Sequence, residues 1–288
     1  MRAPFPTVDV KHAKLPHIMR RLVSLISAHA TTYEWSGMTR RRLALLILLF
    51  AVSPAAAAPE RDGCYDIDDH AQKFTICSFD PKAFDVRLYL KGADGRPLLT
   101  LLALAAETKD GGPMVMAMNG GMYRPDFEPV GLYIADAKKL NDLSRSKGGG
   151  NFGLLPNGVF HISGGRAAVS ETGAFLRQAP RPDFATQSGP MLVIDNAIHP
   201  KFSPHGTSRH IRNGVGVRAD GRMIFAISAG PVTFYEFAGL FRGALQCPDA
   251  LYLDGSVSSL YAPALNRMDI RAPLGPMIGV FEKTKAAR

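Results

Sequence analysis

The sequence predicts one domain of α+β, or mixed α/β, character, with a largely antiparallel or mixed β-sheet core flanked by helices. Three features carry that expectation. Short apolar runs closed by Gly, Pro, Asn or Asp follow one another at spacings suited to tight turns and antiparallel pairing. Near the C-terminus a hairpin, an amphipathic helix and a strand stand in series. No internal repeat, low-complexity tract or linker interrupts the chain after residue 60, and 288 residues that are 46% hydrophobic can bury a sizeable core.

Taken in order, "FTICSF" and "FDVRLYL" are rich in β-branched and aromatic residues and read as strands separated by "DPKA". Residues 96–107, "RPLLTLLALAAE", carry Leu at helical spacing and predict a helix that "KDGG" ends. "MVMAMN", "VGLYIAD", "NFGLLP", "GVFHIS" and "PMLVIDN" read as further short strands, with Asp195 in a hairpin turn. "NGVGVRADGRMIFAIS" predicts a hairpin turned by Ala219, Asp220 and Gly221. "PVTFYEFAGLFRGAL" predicts a helix opened by a capping box of Thr233 and Glu236, with Phe234, Phe237, Phe241 and Leu245 on one face. The strand "ALYLD" follows, so this unit delivers Asp254 to a strand's C-terminal end, the edge at which open α/β sheets place ligands.

The formal charge of +9 is concentrated ahead of the domain. Residues 1–58 hold eight Lys and Arg against two acids, which leaves 26 Lys and Arg against 23 Asp and Glu beyond them. That balance of +3 gives no polybasic footprint, and no nucleic-acid partner is expected. Within 38–58, three arginines precede an apolar run from Leu43 to Val52 and then Pro54 and small residues. This is the pattern of a secretory signal, too short to span a bilayer, so no stable membrane span is expected after cleavage. Residues 1–37 read as a leader misassigned upstream of a start at Met38, and 59–288 as the domain. The expected location is periplasmic or secreted.

Export permits disulfides. If the chain turns at His70 and Ala71, Cys64 and Cys77 fall opposite each other on two antiparallel strands, at a spacing that a disulfide can bridge. Cys247 is then the odd cysteine and reads as a small buried hydrophobe.

Three stretches could carry chemistry. Asn119 closes a strand and precedes Gly120 and Gly121, whose N–H groups could approach a ligand. Arg209 and Arg212 flank His210 just before a strand, where a guanidinium can grip phosphate or carboxylate. Asp254 is followed by Ser256, Ser258 and Ser259. Read singly, each has a plain alternative as a turn or a solvated loop charge. No serine sits in a G-x-S-x-G elbow, and His161, His199, His205 and His210 lack the spacing of a zinc site.

In this order the motifs resemble the phosphodiester glycosidase domain: Asn119-Gly120-Gly121, Pro129-x-Gly131-Leu132, Ser188-Gly189-Pro190, Arg212 with Gly216, and Leu253-Asp254-Gly255 ending in Ser258-Ser259. "GNFGLLPNGVF" and "ATQSGPMLV" are similar to its exported bacterial branch. The resemblance, which covers about residue 70 to the C-terminus, implies hydrolysis of a sugar-1-phosphodiester. Arg212 would hold the phosphate, with Arg209, His210 and Ser188 in the binding set. Gly120 and Gly121 would cradle the phosphate and Asn119 would bond a substrate oxygen. Asp254 would be nucleophile or base, Glu128 the second carboxylate, and Ser258 and Ser259 would orient Asp254 or the substrate. The partner implied is a glycan or sugar phosphate of the cell envelope. No cofactor and no metal ligand is assigned, with a divalent cation near Asp254 kept as an alternative. The family's acidic turn is richer in glycine, and Ser256 and Val257 stand where two glycines would be. Val disfavours positive φ, so a differently shaped turn is expected. The rival from another class is a noncatalytic module that binds glycan phosphates or the cell envelope on the same fold.

Overall fold

The computed structural model describes residues 61–108, 112–146 and 149–283. The leader 1–37 and the signal segment 38–58 lie outside the described residues.

Strand β1 (Gly63–Asp69) and β2 (Gln72–Phe79) form the expected hairpin, turned by His70 and Ala71, both at positive φ. Cys64 stands opposite Cys77 in the register, and the two are disulfide-bonded. Seventeen strands and three α-helices occupy the described residues, in three sheets. The domain is therefore mostly β, with fewer helices than "flanked by helices" implies. All the strand pairings are antiparallel.

The largest sheet runs β1-β2-β13-β12-β14-β10-β11, in which β10 is Met191–Ile194, β11 Ala197–Ile198, β12 Asn213–Val217, β13 Met223–Ser228 and β14 Asp249–Asp254. A second sheet runs β16-β15-β4-β17-β3, built from β3 (Phe84–Tyr89), β4 (Met114–Asn119), β15 (Leu260–Ala262), β16 (Arg267–Met268) and β17 (Met277–Glu282). The third, β6-β5-β9-β7-β8, comprises β5 (Tyr133–Ala135), β6 (Lys138–Asn141), β7 (Gly158–Ser163), β8 (Arg166–Glu171) and β9 (Phe184–Ser188).

Period-two alternation sorts the core. Met223, Phe225 and Ile227 of β13 and Leu251 and Leu253 of β14 join side chains of the other two sheets in one cluster. Ile224, Ala226, Ala250 and Tyr252 point the other way, into a second cluster. That face is covered by the helix Phe234–Arg242, whose capping box of Thr233 and Glu236 is present as expected. Phe237 and Phe241 are buried on it, each worth about 2 kcal/mol of apolar burial. The helix ends at Gly243, so Leu245 joins the same cluster from beyond it. Since β12 lies between β13 and β14 and is antiparallel to both, the helix carries the chain across β12 to return it parallel to β13.

Three local readings change. The helix expected over 96–107 is Leu101–Glu107, capped by Thr100. Before it, Pro97 and Leu99 make isolated bridges to Lys91 and Leu274. A helix at Thr172–Gln178, capped by the Glu171 carboxylate on the N–H groups of Gly173 and Ala174, gave no clear apolar period in the sequence. "NFGLLP" is a run of turns rather than a strand. No helix among the described residues is long and apolar enough to cross a membrane.

Candidate functional site

Period two on β14 puts Asp254 on the same face as Ala250 and Tyr252, at the strand's last residue. There it borders a groove of about 460 Å³ with Gly255, Ser256 and Val257. The segment after β4 supplies Met122, Tyr123 and Val130, and the turns after residue 148 supply Gly149, Gly150, Asn151 and Phe152. The volume suits a small ligand.

Asp254 is 8% exposed. Its Oδ1 accepts from the backbone N–H of Ser256 at 2.5 Å and of Val257 at 3.1 Å, so the turn folds back onto the carboxylate. Burial raises its pKa above the usual carboxylate range, opposed by the N–H groups of Ser256, Val257 and Gly255. Burial and then the charge of Asp254 also raise the Tyr123 phenol. Neither Ser256 nor Val257 has positive φ, so the two non-glycine residues fit the turn without the strain that positive φ would bring. Val257 is buried against Leu101, Leu274 and Tyr123, which anchors the turn from behind.

Asn119, Asn213, Ser258 and Ser259 form a buried net beneath the turn. Asn119 Oδ1 accepts from Ser259 N at 2.9 Å, and its Nδ2 donates to Asn213 Oδ1 at 3.2 Å. Asn213 Nδ2 donates to Asn119 O at 3.0 Å. Ser258 Oγ lies 3.0 Å from Asp254 O, 2.9 Å from Ile211 O and 3.2 Å from Asn213 Oδ1. Ser259 Oγ donates to Val257 O, and Ser188 Oγ to Leu253 O. These side chains join β4, β9, β12 and β14 at the point where the acidic turn leaves the sheet. Asn119, expected to touch substrate, has both ends of its amide committed to that join.

Arg212 lies below the groove rather than on its wall, with no exposed surface. Its Nε donates to Val232 O at 2.9 Å, Nη2 to Ser208 O at 3.0 Å and Nη1 to Tyr252 Oη at 3.2 Å. The guanidinium stacks 3.7 Å from the Phe234 ring centroid. Burial pulls its pKa down, yet a guanidinium stays charged. No carboxylate pairs with it among the described residues. Gly255 covers this pair closely, and a Cβ there would collide with Tyr252 Oη.

Other expected site residues sit elsewhere. Gly120 N donates to Pro276 O at 2.7 Å, so that N–H is spent within the fold; a Cβ there would meet Ile278 Cγ1 at 2.8 Å. Gly121 is buried beside Thr186, 2.8 Å from where a Cβ would stand. Glu128 pairs with Lys91 at 2.8 Å and does not line the groove. Arg209 pairs with Glu236 at 2.6 Å at the helix start, and His210 is exposed in a bridge to Val232. Cys247 is buried, and burial pushes its thiol pKa up. Among the described residues no group of three His, Cys, Asp or Glu side chains is gathered as a cation centre would require.

Sequence reasoning missed Asn213, Tyr252, Tyr123 and Asn151. Asn213 adjoins Arg212, and Tyr252 shares its strand face with Asp254, so only those two had a local signal.

Fold and groove together define a β-rich domain that presents one buried carboxylate above a buried, unpaired guanidinium. A family model described as phosphodiester glycosidase matches residues 113–281. The uncharacterized protein YigE of Escherichia coli K12 is 34% identical over 248 residues, covering 86% of this chain and 96% of YigE. This chain belongs to the phosphodiester glycosidase family. Among solved structures, the zebrafish N-acetylglucosamine-1-phosphodiester alpha-N-acetylglucosaminidase catalytic domain, auto-inhibited by its pro-peptide, is similar in fold. Its TM-score is 0.52 at 16% identity, over 76% of this chain and 82% of that one. A hypothetical protein from Synechocystis gives a TM-score of 0.49 at 14% identity, over 76% and 61%.

Proposed function

We propose that the domain hydrolyses a sugar-1-phosphodiester, with Asp254 as the carboxylate that acts at the anomeric carbon. The observation that carries this reading is the Asp254 carboxylate, buried, held by two backbone N–H groups and open to the groove. Family membership supports glycosidase chemistry on phosphodiesters. The C1–O bond to phosphorus breaks with its electron pair leaving on the phosphate monoester. Asp254 either bonds C1 first and is then displaced by water, or takes the proton of a water that attacks C1. In both cases one water is consumed and the sugar gains a hydroxyl. A phosphate monoester leaves readily, so a strong general acid is not demanded. The substrate proposed is a glycan or sugar phosphate of the cell envelope. A periplasmic or secreted site of action is supported by the Cys64–Cys77 disulfide.

A second reading, a noncatalytic binding module, is favoured by one observation: Asp254 is the sole carboxylate lining the groove among the described residues. Hydrolysis of an N-acetylhexosamine-1-phosphodiester by the purified domain, followed by release of free sugar, separates the two. Turnover is expected; saturable binding of the substrate with no sugar released would favour the module.

A further inference from the structure

Residues 270–273 read Ile-Arg-Ala-Pro and are all exposed. With the start of the helix Leu101–Glu107 they line a pocket of about 290 Å³, whose apolar residues are Leu101, Leu102, Ile270, Ala272, Pro273 and Leu274. Leu102 is 57% exposed and Ile270 76%, two of the four large apolar side chains left in solvent among the described residues. Apolar side chains exposed singly are ordinary, but two that converge on one concavity make a contact surface. The concavity is preformed. Leu274 N donates to Leu99 O at 2.8 Å at one end of the segment. At the other, Asp269 accepts from Leu260 N at 3.0 Å and from Arg267 Nη2 at 2.7 Å. Leu101 and Leu274 are buried and form the floor.

The pocket adjoins the acidic groove. Tyr123 lines the groove, and its hydroxyl donates to Pro273 O at 2.6 Å. The two concavities thus share a wall made of the Tyr123 side chain and residues 273–275. Gly275 is pressed against that ring so closely that a Cβ would stand 2.5 Å from Tyr123 Cγ. Val257 of the acidic turn belongs to the same apolar cluster as Leu101 and Leu274. Arg271 stands on the pocket's rim, exposed and with no acid partner among the described residues. A polar groove with a carboxylate, an apolar shelf beside it and a free cation on the shelf's rim match a ligand that carries a sugar, a phosphate and an apolar chain in series.

We infer that the shelf holds the aglycone and that the aglycone is a lipid alcohol, so that the substrate is a sugar-1-phosphodiester of an apolar chain. This rests on the sugar-phosphodiester reading and deepens it by naming the other half of the ester. Hydrolysis consumes one water and releases the free sugar and the lipid phosphate, with the C1–O electron pair leaving on the phosphate oxygen. The chain displaces water from Leu102 and Ile270, while Arg271 adds positive charge beside the anionic ester.

The test uses an N-acetylhexosamine-1-phosphate esterified with methyl, butyl or octyl alcohol, below micelle-forming concentrations. Wild type is compared with the double variant Leu102→Gln/Ile270→Gln and with Leu140→Gln, a control at an exposed leucine of β6 outside the pocket. A methylene half buried on an open shelf is worth about twofold, so kcat/KM should rise at least about tenfold from butyl to octyl in wild type and in Leu140→Gln. In the double variant the rise should be less than about threefold. The methyl ester, too short to cover the shelf, should be hydrolysed equally by all three. No chain-length dependence in wild type, the same dependence in the double variant, or a loss on the methyl ester as large as on the octyl ester would overturn the inference and leave the hydrolase reading intact. Self-association of wild type that the double variant abolishes, without a chain-length effect, would overturn it in favour of a second copy of this chain on the shelf. If wild type releases sugar from no ester, the hydrolase reading fails. Calorimetric binding of octyl phosphate against butyl phosphate then decides the shelf: a gain of about tenfold that the double variant loses supports it, and no gain overturns it.

Discussion

Asp254 and His161 are both buried titratable groups, and they push stability in opposite directions with pH. His161, on β7, is 6% exposed; its Nε2 lies 3.1 Å from Ser170 Oγ, and the Phe175 ring meets it edge-on. Burial pulls its pKa from 6.5 down to about 4. Between those values the unfolded chain holds the proton and the folded chain does not, so stability is complete above 6.5 and falls as pH drops toward 4. The shift amounts to about 3 kcal/mol. His161→Leu is expected to flatten the fall in urea-unfolding free energy between pH 6.5 and 4, and a fall of unchanged size would contradict this. At this scale the sequence picked out residues that the fold gathers around Asp254, without showing what each of them bonds. Asn119, Arg212, Ser188, Ser258 and Ser259 all surround Asp254, yet as a buried frame and not as a groove wall. Residue type cannot reveal that difference, because a polar side chain beside a strand end serves either use, and only the long-range partner decides which.

Val257 makes the corresponding point for elements. As a substitute for glycine it looked like a threat to the acidic turn, whereas it fastens the turn to the cluster formed by Leu101 of the first helix, Leu274 and Tyr123. Val257→Ala should cost about 2 kcal/mol of stability by thinning that contact. It should also lower turnover, since the N–H of residue 257 is one of the two held by Asp254. Thermal melts and rates on the same samples check it, and an unchanged melting temperature would show that the packing is not the anchor. Elements with strong local signals were legible: the Cys64–Cys77 hairpin, the hairpin turned at Gly221, and the capped helix that returns to β14. Those without them were not. Thr172–Gln178 is a single short helix whose start depends on the Glu171 cap, and the "NFGLLP" turns are apolar because Phe152 is buried and Leu154 packs against the helix-side cluster.

Across the whole molecule, three antiparallel sheets meet so that β4 and β14 end, and β12 begins, at one place, held by the paired amides of Asn119 and Asn213. Sheet assembly was beyond the sequence, because strand order depends on pairings between distant segments, such as β2 with β13 and β3 with β17. What that assembly delivers is a carboxylate that burial makes harder to ionise. Since the folded pKa lies above 3.8, the folded state holds more protons as pH rises through the window between the two values, and stability is lost there. Asp254→Asn keeps an acceptor for the N–H groups of Ser256 and Val257 and removes the charge. The direct measurement is therefore paired: sugar-1-phosphodiester hydrolysis and thermal melting of Asp254→Asn beside wild type at pH 7. The expected result is turnover reduced by at least about a thousandfold with stability equal or higher; retained turnover in a folded Asp254→Asn protein would contradict the assignment of Asp254 as the reacting carboxylate.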